Sequence, residues 1–176
     1  LVGSEMCIRD SFDPQAAAGK QWEIVNGFGG QKRQGGTSFV IDDKAYICCG
    51  VNNGSYVYDF WCFDPSTGVF TQLRDIADTS DDDYDDDYNS ITRTYGCAFV
   101  IDGQAYITLG QTSGSSLRNN YWIYDPNTDL WRSSDTEDDF DYTPFEGSAR
   151  TKAICFSTGK RGIITTVGSS GYYYDD

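Results

Sequence analysis

Apolar and polar residues alternate along much of the chain in short runs, and this period of two is typical of β-strands. Between Asp59 and Phe70, Trp61 and Phe63 alternate with smaller or polar neighbours. Pro65 and Gly68 follow Asp64 and favour a turn, because proline presets φ and glycine tolerates positive φ. The stretch therefore predicts two short strands joined by a tight turn.

The same pattern occurs in two other places. Residues 120–131 repeat it with Trp122, Asp125 and Pro126, and an earlier copy runs from Phe12 to Trp22. Three of the four prolines lie in this aromatic-Asp-Pro unit. A unit that occurs in three copies indicates a repeat protein.

A second predicted hairpin precedes each full copy of this unit. Residues 38–41 and 44–50 flank an Asp-Asp turn, and residues 97–101 and 104–110 flank an Asp-Gly turn. Asp-Gly between alternating apolar runs is a strong hairpin signal. Each repeat therefore has four short strands and no helical period, which predicts an all-β fold of antiparallel four-stranded meanders.

An arginine opens each repeat and sets the predicted boundaries of the units. Residues 1–11 are set aside, because they resemble the translation of a sequencing adapter and are expected to be non-native. We therefore expect the sequence to be a fragment whose native ends and any signal peptide lie outside it. The predicted units are 12–32, the end of a first repeat; 33–92 and 93–149, two complete repeats; and 150–176, the start of a truncated repeat.

These repeats resemble the kelch family of β-propellers, especially its bacterial members, over residues 12–176. The resemblance implies a partial β-propeller of four-stranded antiparallel kelch blades, two full and two partial. One departure is that the usual Gly-Gly pair keeps only its second glycine. The residues that carry the resemblance, expected to be structural, are Arg33, Arg93, Arg150, Gly50, Gly110, Gly168, Trp61, Trp122, Asp64, Pro65, Asp125 and Pro126.

The long connections of the repeat are predicted to share one face. Connections 51–57, 111–119, 75–92 and 133–149 alternate with tight turns, and alternate connections of a meander lie at opposite ends of the sheet. Binding residues concentrate on loops that a rigid scaffold positions. The resemblance further implies that the position after each arginine faces the channel mouth. The candidate ligand contacts are Gln34, Thr94 and Thr151, with Asn52, Gln111 and Ser169 after the second strand.

Two acidic connections carry aromatic residues. Tyr84 and Tyr88 lie in the first, and Phe140 and Tyr142 lie in the second. These rings are candidates for stacking on sugars or peptides, or alternatively for anchoring the loops. The carboxylates there suggest weak cation binding, although the sequence contains no EF-hand loop. Solvated loops are the simpler interpretation.

The net charge of −14 argues against nucleic-acid binding, which needs clusters of Lys and Arg. The chain contains no histidine, so Ser-His-Asp and Cys-His nucleophile pairs are excluded for this sequence. Six cysteines lack zinc or redox spacing, and small buried thiols are the favoured interpretation, with a disulfide between neighbouring strands left open. No metal, cofactor or catalytic residue is predicted, and no apolar run is long enough for a transmembrane segment.

The sequence favours a binding module that contacts a protein or a glycan through the long-loop face. Export to the periplasm, the cell surface or the medium of a bacterium is expected from the resemblance and the composition. The alternatives are a fragment of a carbohydrate-active kelch enzyme, similar to a sialic-acid mutarotase or epimerase or to an oxidase, and a purely structural scaffold. An enzyme is the less favoured of these interpretations.

Overall fold

The computed structural model describes residues 10–25, 27–76, 91–133, 143 and 145–165. Its secondary structure consists of short strands with one 3₁₀ turn at Ser113–Ser115. None of the described segments is a helix with the length and apolarity needed to span a membrane. The prediction of an all-β fold is therefore confirmed.

Two complete four-stranded antiparallel sheets form the centre of the described structure. In the first, β3 (Thr37–Ile41), β4 (Lys44–Cys48), β7 (Trp61–Asp64) and β8 (Val69–Gln72) lie in chain order. In the second, β9 (Cys97–Ile101), β10 (Gln104–Thr108), β13 (Tyr121–Asp125) and β14 (Leu130–Ser133) do the same. We call these sheets blade 1 and blade 2.

Two-stranded antiparallel sheets flank the two blades. β1 (Asp10–Phe12) pairs with β2 (Trp22–Ile24) before blade 1, and β15 (Ile154–Ser157) pairs with β16 (Gly162–Thr165) after blade 2. This arrangement of two full and two partial blades is that of a partial β-propeller, as predicted. Strand β1 includes Asp10 and Ser11, the last two residues of the segment 1–11 that is expected to be non-native. They pair with Ile24 and Glu23 of β2.

The connections at 51–57 and 111–119 differ from the predicted loops. β5 (Val51–Asn52) pairs with β6 (Ser55–Tyr56), and β11 (Gln111–Thr112) pairs with β12 (Ser116–Leu117). Residues with positive φ close both hairpins, at Asn53 and Gly54 in the first and Gly114 and Ser115 in the second. Because these strands are only two residues long, the sequence period could not reveal them.

Aromatic rings fill the space between blade 1 and blade 2. Phe39 stacks on Tyr46 at 5.2 Å in blade 1, and Phe60 meets Tyr124 of blade 2 edge-on at 4.8 Å. Trp131 lies 5.4 Å from Phe60 and 4.9 Å from Tyr124. All five side chains are buried. The two blades therefore share one hydrophobic core, in which each ring also gains from offset or edge-on contact.

The first strands of successive repeats lie side by side, with β9 between β3 and β15. A disulfide joins Cys97 on β9 to Cys155 on β15, whose Cα atoms are 5.7 Å apart. The favoured expectation of free thiols is thus wrong for these two cysteines. Their 58-residue separation gives no local spacing signal, because only the blade-to-blade packing brings them together. Cys48, Cys49 and Cys62 are free.

Candidate functional site

The residues two and three positions before β3, β9 and β15 form one continuous edge, which we call the inner rim: residues 34–35, 94–95 and 151–152. The amide of Tyr95 donates to the carbonyl of Gly35 at 2.8 Å, and the amide of Lys152 donates to the carbonyl of Tyr95 at 2.8 Å. A line of backbone hydrogen bonds therefore runs from blade to blade. It brings together three repeats that are far apart in sequence.

The second residue of each rim segment has the same left-handed backbone. The φ angles are 64° at Gly35, 54° at Tyr95 and 60° at Lys152. At Gly35 the approach of the next segment is so close that an added Cβ would lie 2.2 Å from Thr94 Oγ1. Glycine is therefore required at this first position, whereas the next two carry side chains.

Tyr95 and Lys152 are in contact across the boundary between two repeats. The Lys152 ammonium nitrogen lies 5.1 Å from the centroid of the Tyr95 ring, which is cation–π distance. Lys152 is exposed and Tyr95 is half-buried. Neither residue was predicted from the sequence. Both directly follow predicted contact residues, Thr94 and Thr151, and this position could have suggested them. Their left-handed backbone, however, cannot be predicted from sequence.

The short hairpins support the rim from the side. Gln34 exchanges two backbone hydrogen bonds with Val51, at 2.9 and 3.0 Å, and Thr94 exchanges two with Gln111, also at 2.9 and 3.0 Å. The hydroxyl of Tyr56 donates to the carbonyl of Gln111 at 3.2 Å. The hairpins β5–β6 and β11–β12 are thus fixed to the rim by backbone atoms, which leaves rim side chains available for other contacts.

The predicted contact residues are not equally accessible. Gln34 is exposed, and Asn52, Gln111 and Thr151 are half-buried. Thr94 is only 6% exposed, and its hydroxyl lies 3.5 Å from the carbonyl of Gln34. Thr94 therefore supports the rim instead of facing solvent. The other candidates, Tyr84, Tyr88, Phe140, Tyr142 and Ser169, lie outside the described residues, as does Gly168.

The arginines that open the repeats lie beneath the rim and bind backbone carbonyls. Arg33 Nη1 donates to the carbonyls of Cys49 and Asp59, both at 3.4 Å. Arg93 is fully buried and donates to the carbonyls of Ile91 and Leu109 at 3.0 and 2.9 Å. Arg150 is 2% exposed and donates to the carbonyl of Ser148 at 2.9 Å. The contacts of Arg33 and Arg93 link the start of their repeats to the end of the second strand, at Cys49 and Leu109.

An aromatic ring covers two of these arginines. The guanidinium of Arg33 lies 5.7 Å from the Phe28 ring centroid, and that of Arg150 lies 5.5 Å from the Phe145 ring centroid. Each ring is five positions before its arginine, and the same spacing from Arg93 falls on Tyr88, outside the described residues. The ring and the guanidinium together position the rim segment that follows.

The glycines that close the second strand allow the blades to approach. Gly50 has φ 94° and its amide donates to the carbonyl of Arg93, and Gly110 has φ 86° and its amide donates to the carbonyl of Arg150, both at 2.7 Å. Each bond connects one repeat to the start of the next. Gly50 and Gly110 are therefore part of the contact between successive repeats.

The remaining repeat residues lie away from the rim. Trp122 is fully buried, and Trp61, 9% exposed, donates from Nε1 to Asp59 at 2.9 Å. Asp64 and Asp125 each accept an amide hydrogen bond from the second residue beyond, across Pro65 and Pro126, at 2.9 Å. Both Asp-Pro turns thus have the same local structure at the end opposite to the rim.

The rim has the chemistry of a contact surface. It offers an ammonium group, a phenol ring and side-chain amides on a backbone held by hydrogen bonds. Across the described ranges, no group of three or more His, Cys, Asp or Glu side chains is arranged to hold a metal ion.

Comparison with known proteins identifies the repeat. Residues 32–75 match the family described as the Kelch motif, which covers the strands of blade 1. A solved structure described as "Structure of YjhT" is similar to this chain with a TM-score of 0.65 at 16% identity, over 85% of this chain and 49% of that one. The chain therefore spans about half the length of that structure, and the likeness concerns the fold. No curated protein matches the sequence.

Proposed function

We propose that this kelch-repeat β-propeller chain is a binding module and that its inner rim contacts a protein or a glycan. The observation that carries the proposal is the blade-to-blade line of hydrogen bonds, which places side chains of separate repeats next to each other. Such convergence on a rigid scaffold is characteristic of binding surfaces. The kelch motif itself defines the repeat and not its ligand.

The rim side chains define the kind of contact. Tyr95 offers an apolar ring with a polar hydroxyl, and such residues are enriched at interfaces. Lys152 offers a positive charge on a chain whose net charge is −14. Gln34 adds an exposed amide that both donates and accepts hydrogen bonds. Together they suit a ligand that combines an apolar face with an acidic or hydroxyl group.

The test is a screen of the full chain against a glycan array and a displayed peptide library. Any ligand found is then measured with Tyr95→Ala and Lys152→Ala. We expect each substitution to weaken binding by about tenfold or more, since truncation of a central interface residue costs on the order of 2 kcal/mol. Lys160→Ala is the matched control, because Lys160 is exposed in the turn at the opposite end of its sheet.

Two results would count against the proposal. One is a ligand whose affinity is unchanged in the Tyr95→Ala/Lys152→Ala double variant. The other is an equal loss in the Lys160→Ala control, which would indicate a general charge effect. The screen also decides between a protein and a glycan ligand. Only one of the two libraries should yield ligands whose affinity falls in the Tyr95→Ala and Lys152→Ala variants.

We propose in addition that the protein works in an oxidising compartment, as an exported protein does. The Cys97–Cys155 disulfide supports this, because such bonds form and persist mainly outside the reducing cytosol. Thiol counting on the denatured protein, before and after reduction, tests it. Equal counts in protein isolated from its native source would contradict it.

A further inference from the structure

A cleft of about 550 Å³ opens between blade 1 and blade 2 at the end opposite to the inner rim. Its walls come from the turn after Asp64 in blade 1 and the turn after Asp125 in blade 2. The sequence analysis assigned no site to this face, because its connections are short. The cleft is formed by the gap between two turns and not by a loop.

The floor of the cleft is polar and rigid. Tyr46 and Tyr124 are 6% and 2% exposed, and the hydroxyl of Tyr124 donates to Asp129 Oδ1 at 3.0 Å. Burial, and then the neighbouring Cys62 thiol, raises the pKa of Tyr46 to about 12. Burial also raises the pKa of Tyr124, so both phenols remain protonated at neutral pH.

The walls carry opposite charges close together. Lys44 Nζ lies 3.8 Å from Asp64 Oδ2, and these side chains are 49% and 31% exposed. Asp64 Oδ1 is occupied by its own turn, because it accepts hydrogen bonds from the amide and the hydroxyl of Ser66 at 2.9 and 2.6 Å. The Ser66 hydroxyl and then its amide lower the pKa of Asp64, which keeps the carboxylate ionised.

Uncharged groups complete the lining. Thr67 and Thr71 contribute hydroxyls, while Val69, Leu73 and Pro126 contribute apolar surface. The cleft therefore presents hydrogen-bond donors, acceptors and an apolar patch within one small volume. Clefts of this size, with a few polar groups among apolar ones, are typical of small-molecule sites.

We propose that this cleft binds a neutral, hydroxyl-rich small molecule, a mono- or disaccharide. Sugar hydroxyls both donate and accept, which matches a lining with an ammonium group, carboxylates and hydroxyls together. An anion would meet Asp64 and Asp129, and a cation would meet Lys44, so a neutral ligand fits this charge pattern best. This site is independent of the inner rim, and a sugar here would be a second ligand.

The corresponding positions of blade 2 differ from those of the cleft. In the alignment of the two repeats, Gln104 corresponds to Lys44, Ile123 corresponds to Cys62, and Arg132 corresponds to Thr71. Gln104 Nε2 donates to Asp125 Oδ2 at 2.9 Å. Gln104 does not line the cleft, so it provides a control position that corresponds to Lys44.

The test uses saturation-transfer NMR on the full chain with glucose, galactose, mannose, N-acetylglucosamine, maltose and lactose, followed by calorimetry. We expect at least one of these sugars to bind. Asp64→Asn and Lys44→Met should each weaken it by about tenfold, because hydrogen bonds to charged groups contribute most strongly. Asp102→Asn and Gln104→Met should leave the affinity within about twofold of the unchanged chain, because neither residue lines the cleft.

Several outcomes would overturn this proposal. The absence of saturation transfer to every sugar at millimolar concentration is one. Equal losses in Asp64→Asn and Asp102→Asn are another, since Asp102 is an exposed turn aspartate outside the cleft. Stronger binding of spermidine or inorganic phosphate to the cleft would also contradict a neutral ligand. Tyr95→Ala should not change sugar binding to the cleft. The proposals for the cleft and for the inner rim can therefore be tested separately.

Discussion

Asp59 is the residue on which the start of blade 1 depends most. Its carboxylate pairs with Arg33 and accepts hydrogen bonds from the amide of Gln31 and from Trp61 Nε1, both at 2.9 Å. The Arg33 and Asp59 side chains are 8% and 9% exposed. Removal of one partner would leave the other charge buried without its counter-ion, which is strongly destabilising.

We therefore predict that Asp59→Ala lowers the free energy of unfolding by about 3–5 kcal/mol. Asn120 occupies the corresponding position in blade 2, and its side-chain oxygen lies 3.5 Å from Arg93 Nη2. Asn120→Ala is the matched control and should cost only about 1 kcal/mol, because a neutral partner is lost. Urea unfolding followed by tryptophan fluorescence measures both. Equal losses would show that the ion pair adds no stability.

At the scale of the strand, Gly50 determines how closely the end of β4 approaches the segment that precedes β3 in the same repeat. A Cβ at Gly50 would lie 2.9 Å from the carbonyl oxygen of Gln34 and 3.0 Å from the amide nitrogen of Gly36. Gly54 also has positive φ, 84°, but a Cβ there would meet nothing within 4 Å. The two glycines share a left-handed backbone and differ in the space around them.

Gly50→Ala should therefore destabilise the protein by about 2–3 kcal/mol, and Gly54→Ala by about 1 kcal/mol. The difference between the two losses of stability measures the effect of the close contact, because both alanines share the strain of a positive φ. Chemical denaturation of the two variants gives both values. If Gly54→Ala costs as much as Gly50→Ala, the close approach of Gly50 to Gln34 and Gly36 has no part in the requirement for glycine.

At the scale of the whole molecule, the disulfide connects repeats that are otherwise held by packing and hydrogen bonds. Cys97 and Cys155 close a loop with a sequence separation of 58. A bridge over a loop of this length stabilises a protein by about 2–4 kcal/mol, largely by restricting the unfolded chain. Reduction should therefore lower the midpoint of thermal unfolding.

The measurement is calorimetry with and without dithiothreitol. The Cys97→Ser/Cys155→Ser double variant should unfold like the reduced protein and should not respond to dithiothreitol. Cys62→Ser is the control and should respond like the original chain, because Cys62 is a free thiol. A double variant as stable as the oxidised protein would show that the bridge contributes nothing.

The architecture could be predicted largely from sequence because its signals are local. Alternation located the main strands, and Asp-Gly or Asp-Pro located the turns between them. In blade 1 the two central turn residues, Asp42 and Asp43, have φ angles of 47° and 61°, which aspartate tolerates better than most residues. The order of strands in a meander then follows from chain order, without long-range information.

The site could be predicted only in part, because it depends on contacts between repeats. Gln34, Thr94 and Thr151 were predicted as candidate contacts from the kelch resemblance, whereas Tyr95 and Lys152 were not predicted. The cleft was missed as well, since Lys44 and Asp129 are on different blades and line it together only because the two blades pack side by side. Pairing of Cys97 with Cys155 depends on the same packing.

The line of hydrogen bonds along the rim has a consequence for how this surface can change over evolution. Its donors and acceptors are backbone atoms of Gly35, Tyr95 and Lys152, so the geometry does not depend on which side chains are present. Mutations at the latter two positions can therefore change the rim surface while the scaffold persists, provided that the new residue accepts a left-handed backbone. Asparagine, aspartate and glycine meet that condition most easily. A library restricted to such residues would be an economical start for redirecting the rim to new targets.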